Sequence, residues 1–252
     1  MNTLCRLFVM TVAAVSLLAL GVPVQATKMD DRIESSAKNS YVFKTYLKGD
    51  DIKVASRDGA VTLTGIVEKN FHKSLAQETV AGLPGVKSVD NRLEIKGAPP
   101  TANSDDWIEG KVKATLMFHR SLSVGTPEVN VKDGIVILRG DADSQAQKEL
   151  ATEYSRDVEG VKDVINEMTV PKPSQKTRTA GEKIDDASIT AQVKMTLLYN
   201  RSTSALYTSV TTKRGVVTLG GKASNTDELK LAAKLAGNVN GVKRVKNLMT
   251  IE

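Results

Sequence analysis

The chain contains 252 residues, with 35 Lys and Arg against 29 Asp and Glu, and a formal net charge of +6. Hydrophobic residues make up 40% and charged residues 25%, which excludes a disordered chain and a protein with many membrane spans. The single cysteine, Cys5, excludes an internal disulfide and a cysteine-based zinc site. The only histidines, His72 and His119, stand in different contexts, so we assign neither a role and expect no metal site.

Residues 1–26 have the pattern of a secretory signal peptide. Arg6 precedes an apolar run over residues 7–20, and small residues stand at positions −3 and −1 of a cleavage site after Ala26. The alternative is a retained N-terminal anchor. That is disfavoured because a bilayer core needs about 20 apolar residues and Pro23 interrupts the run. The pattern therefore predicts an exported protein.

One sequence unit is repeated three times. Each copy carries a glycine-rich hairpin motif, followed 20 residues after its last glycine by Gly-Val and then, six residues after that glycine, by Asn. The three motifs are Asp58-Gly-Ala-Val-Thr-Leu-Thr-Gly65, Asp133-Gly-Ile-Val-Ile-Leu-Arg-Gly140 and Arg214-Gly-Val-Val-Thr-Leu-Gly-Gly221. An acidic pair opens each copy: Asp30-Asp31, Asp105-Asp106 and Asp185-Asp186. This agreement predicts three tandem domains of one fold.

The periodicity inside the unit predicts its elements. Apolar residues at i, i+4 and i+8 after the acidic pair form one helical face, as in Ile33, Ala37 and Tyr41. Alternating runs joined at Asp-Gly or Arg-Gly predict a β-hairpin. A second helix over 69–82, 144–157 and 225–237 and a last strand complete the order α-β-β-α-β. We expect an α+β protein of three such domains, each a small mixed three-stranded sheet with two helices on one face.

The predicted boundaries follow from the repeats and from two proline-containing spacers. They are a signal peptide (1–26), domain 1 (27–97), a linker (98–104), domain 2 (105–170), a basic linker (171–180) and domain 3 (181–252). The net charge of these segments differs: +2 for residues 27–97, −5 for 105–170, +3 for 171–180 and +5 for 181–252. The C-terminal third is thus basic beside an acidic middle.

The acidic start of the first helix, the hairpin motif and the Gly-Val turn leading to Asn resemble the BON domain over about residues 30–252. This chain has three copies where better-known members carry two. The resemblance implies a periplasmic envelope-stress protein with the α-β-β-α-β fold. It also implies no catalytic residues and no cofactor, and peripheral binding to anionic phospholipid headgroups.

Two groups of residues are candidates for lipid binding. In the third unit, the hairpin tip and the turn into the last strand are basic; the residues are Lys213, Arg214, Lys243, Arg244 and Lys246. The tip and the turn can lie at different ends of the sheet, so the pattern leaves open whether they form one patch or are solvated surface charges. In the second unit, Trp107 with Lys111 and Lys113 is typical of an interfacial anchor, the alternative being a tryptophan packed on a helix or neighbouring unit.

Three classes of function follow. The favoured one is a non-enzymatic protein that docks reversibly on anionic phospholipid; the alternative is a protein-interaction or chaperone-like module that acts on envelope proteins. An enzyme is disfavoured because no nucleophile with a base and no phosphate loop is present, and capping explains the adjacent carboxylates at the helix starts. Nucleic acid is disfavoured as a partner, because export removes the encounter and no aromatic residues interleave the basic ones.

Overall fold

The computed structural model describes residues 24–97, 99–122, 127–171, 183–203 and 208–252. Most of the predicted signal peptide, and all of the basic linker after Pro171, lie outside these residues. The first helix begins at Val24 and runs through the expected cleavage position after Ala26. Cleavage stays a prediction.

Three units of one topology follow each other along the chain, as the repeats predict. Unit 1 contains α1 (Val24–Asn39), α2 (Tyr41–Thr45), β1 (Asp51–Arg57), β2 (Ala60–Val67), α3 (Asn70–Ala81) and β3 (Ser88–Ile95). Unit 2 contains α4 (Asp105–Phe118), β4 (Glu128–Lys132), β5 (Ile135–Arg139), α5 (Gln145–Arg156) and β6 (Asp163–Asn166). Unit 3 contains α6 (Asp186–Tyr199), β7 (Thr208–Lys213), β8 (Val216–Ala223), α7 (Thr226–Gly237), β9 (Arg244–Asn247) and β10 (Thr250–Ile251).

The sheets confirm the predicted mixed topology. In each unit the first two strands pair antiparallel, and the last strand pairs parallel with the second. The last strands of units 2 and 3 are shorter than the alternation predicts, but the ladder of hydrogen bonds continues beyond them. In unit 2, for example, Glu167 N donates to Leu138 O and Thr169 N to Gly140 O, both at 2.8 Å.

The first helix of unit 1 differs from its prediction. It ends at Asn39, and Ser40 then caps a new short helix by accepting from Phe43 N at 3.3 Å. Tyr41 therefore leaves the helical face that it was expected to share with Ile33 and Ala37. Serine favours this break because its side chain competes for backbone groups and suits a cap position.

The acidic residue that opens each unit holds the hairpin turn. The carboxylates of Asp30, Asp105 and Asp186 accept hydrogen bonds from the two successive N–H groups at the tip of their own hairpin, at distances of 2.6–3.0 Å. Both tip residues have positive φ, and the carboxylate satisfies their exposed donors. The expected capping role applies to Asp185, which is the N-cap of α6, while Ser104 caps α4.

The repeated asparagine ties the last strand to the second helix. Its Nδ2 donates to a helix carbonyl 18 residues earlier, and its Oδ1 accepts from the N–H two residues later; the residues are Asn91, Asn166 and Asn247. These bonds satisfy a polar group that lies between helix and sheet. The fold thus explains why the asparagine is repeated.

Units 2 and 3 are not independent domains. Their apolar residues form one continuous core, and α4 and α6 pack against each other. Helix α6 also carries a second stripe at i, i+4, i+8 and i+12, namely Ala187, Ala191, Met195 and Tyr199, which enters the core of unit 1 together with Phe118 of α4. A helix that is apolar on both sides is buried on both sides. Helix α6 is therefore shared by two cores.

A reciprocal exchange of backbone hydrogen bonds joins units 2 and 3. Arg120 N donates to Asn238 O at 2.9 Å, and its counterpart Arg201 N donates to Asp157 O at 2.9 Å. The two guanidinium groups also donate to carbonyls of the other unit, including Val242 O and Val161 O, both at 2.9 Å. In each equivalent contact the donor lies 81 residues later and the acceptor 81 residues earlier. The two units therefore form a pseudo-symmetric pair with their helices between the two sheets.

Candidate functional site

Each sheet has one face covered by its helices and one face, here called the open face, turned away from them. In unit 3 the buried Val217 and Leu219 mark the helix side, so the alternate residues of β8 lie on the open face. The pairing of the strands places two rows across this face: Lys213, Val216 and Arg244, followed by Thr211, Thr218 and Lys246. Lys222 follows on β8.

The hairpin tip and the turn into β9 lie at the same end of the sheet. Because β8 and β9 are parallel, both strands begin at this end, and Lys243 N donates to Gly215 O at 2.8 Å. The Lys243 side chain covers Gly215, where an added Cβ would stand 3.1 Å from its Cγ. The question that the sequence left open is thereby answered: the basic tip and the basic turn are neighbours.

This arrangement forms a basic surface, which we define as the exposed residues Lys213, Arg214, Lys222, Lys243, Arg244 and Lys246. The strands of unit 3 contain no acidic residue. Among the described residues, no ion pair joins these six side chains to a carboxylate. Like charges on neighbouring strands repel, so the surface costs some stability and remains available to an external anion.

Arg214 adds a second cost, which comes from its backbone conformation at the hairpin tip. Its φ of 54° lies in the left-handed region, where Asp58 and Asp133 stand in the other units. A bulky side chain is less favourable there than Asp, whose short polar side chain suits that conformation. The Asp186 carboxylate supports the turn at 2.6 Å from Arg214 N.

Sequence reasoning missed one member of the basic surface, Lys222, and one apolar residue beside that surface, Leu248. Lys222 is the penultimate residue of β8, and Leu248, which is 54% exposed, follows β9. Leu219 faces the core, so extending the alternation of β8 by three residues would have placed Lys222 on the open face. Leu248 could have been found by its counterpart Glu167, a charged and hence outward-facing residue at the same repeat position.

The predicted anchor in unit 2 lies in a different environment. The Nζ of Lys111 stands 3.2 Å from the centroid of the half-buried Trp107 ring and donates to Glu159 Oε2 at 2.8 Å. Burial lowers the pKa of Lys111, opposed by Glu159. Lys113 donates to Glu109 Oε1 at 2.5 Å. These two lysines are engaged by carboxylates of their own unit, and neither adjoins the basic surface.

Trp107 borders a crevice between units. A cavity of about 470 Å³ is lined by residues of all three units, including Phe71, Trp107, Lys111 and Leu198. Its charged lining is mixed, since it contains both lysines and carboxylates. The tryptophan thus packs beside a neighbouring unit, as the alternative interpretation expected, while its predicted role in lipid binding stays a prediction.

No group of residues in the part of the chain that the structure describes has the ligand set of a metal site. His72 Nδ1 lies 2.8 Å from Asp50 Oδ2, and His119 is buried at the junction of units 2 and 3. Across the described residues, none of the helices is long and apolar enough to cross a bilayer.

The comparisons with known proteins agree with this architecture. The BON domain family matches three segments, residues 29–97, 104–172 and 185–252. Osmotically-inducible protein Y of Escherichia coli (strain K12) is 31% identical over 143 residues, which cover 55% of this chain and 71% of that protein. Outer membrane lipoprotein DolP of Haemophilus influenzae is 32% identical over 58% of this chain and 73% of its own length. The 21 kDa hemolysin of Actinobacillus pleuropneumoniae is 35% identical over 58% of this chain and 73% of its own length. The chain therefore belongs to the BON domain family and contains three copies of its domain.

Proposed function

We propose that this protein is a non-enzymatic, exported protein of the bacterial envelope that docks reversibly on anionic phospholipid membranes under osmotic or envelope stress. The names of its relatives, one osmotically inducible, one an outer-membrane lipoprotein and one a hemolysin, support the envelope setting. The single observation that carries the docking proposal is the basic surface of unit 3. It gathers four cations on the open face of one sheet and two more at the hairpin end of the same sheet.

The energy available from such a surface is modest. Each Lys or Arg held near an anionic bilayer contributes about 1 kcal/mol, and the contribution falls off within one Debye length. Six such residues support weak, salt-sensitive and reversible docking. The exposed Leu248 lies beside them and adds an apolar contact at headgroup depth.

The test is co-sedimentation of the full chain with vesicles of phosphatidylglycerol and phosphatidylcholine, compared with vesicles of phosphatidylcholine alone. We expect binding to the anionic vesicles at low salt and its loss in about 1 M salt, where the Debye length is about 3 Å. The double substitution R244E/K246E should lower the partition coefficient at least about tenfold, because it removes two attractive charges and adds two repulsive ones.

The matched control is K230E/K234E, which makes the same charge change on exposed residues of α7. Equal binding to both kinds of vesicle, or an equal loss in both variants, would contradict the proposal. Trp107, the only tryptophan, separates the two candidate groups. A blue shift of its emission on binding would indicate docking through unit 2, whereas docking through unit 3 leaves the emission unchanged.

A further inference from the structure

The open faces of units 2 and 3 lie on opposite sides of the molecule. Helices α4 and α6 contact each other, and the helix-facing residues of both sheets, such as Leu138 and Leu219, belong to one core. The two sheets therefore form the outer layers of the paired units, with the helices between them. A partner can reach either open face without passing the other.

These two open faces have opposite charge. At the repeat positions that form the basic surface in unit 3, unit 2 carries Lys132, Asp133, Asp141, Lys162, Asp163 and Ile165. Glu128 and Glu167 add two further carboxylates, of which Glu167 pairs with Arg139 at 2.7 Å. Asp163 lies beside Ile135 in the pairing of β6 with β5, on the row that holds Arg244 in unit 3.

The centres of the two faces also fit each other. Unit 2 presents Ile135 and Ile137 on its middle strand, next to Ile165, which is 46% exposed. The middle strand of unit 3 presents Thr218 and Gly220 between its charged edges. The apolar ridge of one face thus complements the low floor of the other. Carboxylates outnumber cations around the ridge, whereas only cations flank the floor.

We propose that the open face of unit 2 in one molecule docks on the open face of unit 3 in a second copy of this chain. Charge complementarity selects the second copy, since the same chain supplies both the acidic and the basic face on sheets of one geometry. Two such sheets pack about 10 Å apart, which brings carboxylates within reach of the facing cations. This association goes beyond membrane docking and competes with it for the basic surface.

The association is head to tail and does not close at the dimer. Each molecule carries one face of each kind on opposite sides, so every added copy leaves one free face at each end. The face of unit 2, with strands of 5, 5 and 4 residues, measures roughly 230 Å². Two such faces bury less than a stable complex needs, so the contact is weak and concentration-dependent.

Sedimentation velocity of the full chain across a range of concentrations, without lipid, tests the proposal. We expect the mean mass to rise with concentration beyond that of a dimer at about 0.02 M salt and to return to the monomer at about 0.5 M. R244E/K246E removes two of the six cations of the basic surface and adds two carboxylates, which lowers its charge from +6 to +2. D163K/E167K replaces two carboxylates by lysines and makes the open face of unit 2 basic. Each variant alone should associate less than the native chain does. An equimolar mixture should associate more than either variant alone, because one variant keeps the acidic face and the other keeps the basic surface.

The charge-preserving substitution Ile165→Asn should weaken association at least about threefold, because it removes the centre of the ridge. K230E/K234E, the control on α7, should associate as the native chain does. A native chain that stays monomeric at low salt would overturn the proposal, as would a mixture of charge variants that does not associate.

These outcomes are separate from those of the vesicle experiment. D163K/E167K leaves the basic surface intact, so it should bind anionic vesicles at least as well as the native chain while losing self-association. If R244E/K246E loses vesicle binding but the native chain never associates, docking on membranes stands and self-association falls. If the native chain associates at low salt but does not prefer anionic vesicles, self-association stands and docking on membranes falls.

Discussion

The junction between units 2 and 3 differs in kind from the attachment of unit 1. Units 2 and 3 exchange backbone hydrogen bonds reciprocally, and the end of each first helix pairs with the turn after the second helix of the other unit. Unit 1 is attached by side chains that enter its core from α4 and α6. Two donors also hold it: Tyr41 N donates to Asp185 Oδ2 at 2.7 Å and Val42 N to Ser188 Oγ at 3.1 Å.

Sequence differences at two repeat positions explain why units of one fold form two kinds of junction. Pro84 stands where Glu159 and Asn240 donate an N–H across the junction of units 2 and 3, and proline has no N–H to donate. Thr45 stands where Arg120 and Arg201 reach the carbonyls of the other unit. Unit 1 therefore lacks both halves of the exchange, and packing takes their place.

The largest expected effect tests the packing attachment. Phe118 belongs to unit 2, but its fully buried ring lies in the core of unit 1, with its centroid 5.5 Å from that of Tyr46. Phe118→Ala should cost about 3–5 kcal/mol, because it removes a large buried ring and leaves a cavity. Hydrogen exchange should show the loss of protection in α3 and β2 as well as in α4.

Leu198→Ala is the matched control on the neighbouring helix, since Leu198 is 47% exposed and its truncation should cost little. Loss of protection confined to unit 2 in Phe118→Ala would contradict a core shared with unit 1.

One substitution, Asn240→Pro, should remove one backbone hydrogen bond of the junction between units 2 and 3 and make it more like the attachment of unit 1. Asn240 precedes Gly241 just as Pro84 precedes Gly85, and both turns have the same 3.3 Å backbone hydrogen bond, so proline fits the local backbone. Asn240→Pro removes the donor to Phe118 O and should cost about 1–3 kcal/mol in chemical denaturation. Pro84→Asn should cost under about 1 kcal/mol, because only the unfolded chain gains freedom. Equal effects would show that the turn, and not the exchange, sets the stability.

The repeats and the alternation predicted the fold of each unit because those signals are local. Hairpin tips need a residue pair that tolerates positive φ, and each second helix ends before its glycine. The sharing of cores was not predicted, although α6 carried its signal. Ala187, Ala191, Met195 and Tyr199 form a second apolar stripe, where unit 1 has polar residues at the matching positions 35 and 39.

The candidate site was predicted in part for the same reason. The basic residues of unit 3 were visible as charges, but their union on one face depends on the parallel pairing of β8 with β9. The engagement of Lys111 by Glu159 joins residues 48 positions apart, and no local pattern signals it. Burial and pairing that arise between distant segments are the part that periodicity leaves out.

The smallest expected effect concerns pH at the reciprocal junction. His119 lies there with its ring against Tyr154 at 4.4 Å, and its Nδ1 accepts from Ser121 N at 3.2 Å. Burial, with a further contribution from the charge of Arg120, lowers the pKa of His119 to about 4. In the unfolded chain a histidine takes up a proton near pH 6.5, so stability should fall as the pH drops from about 6.5 to about 4. After allowance for screening, we expect a loss on the order of 1–2 kcal/mol.

His119→Asn isolates this contribution, because unit 3 already has asparagine at the equivalent position. There, Asn200 Oδ1 accepts from Ser202 N at 2.9 Å, the same bond that His119 makes in unit 2. The variant should keep the turn and show a smaller difference in unfolding free energy between pH 7 and pH 4.5. His72 is unchanged in both proteins, and burial also lowers its pKa, so part of the pH dependence should persist. An unchanged pH dependence in His119→Asn would mean that His119 does not couple protonation to the stability of this junction.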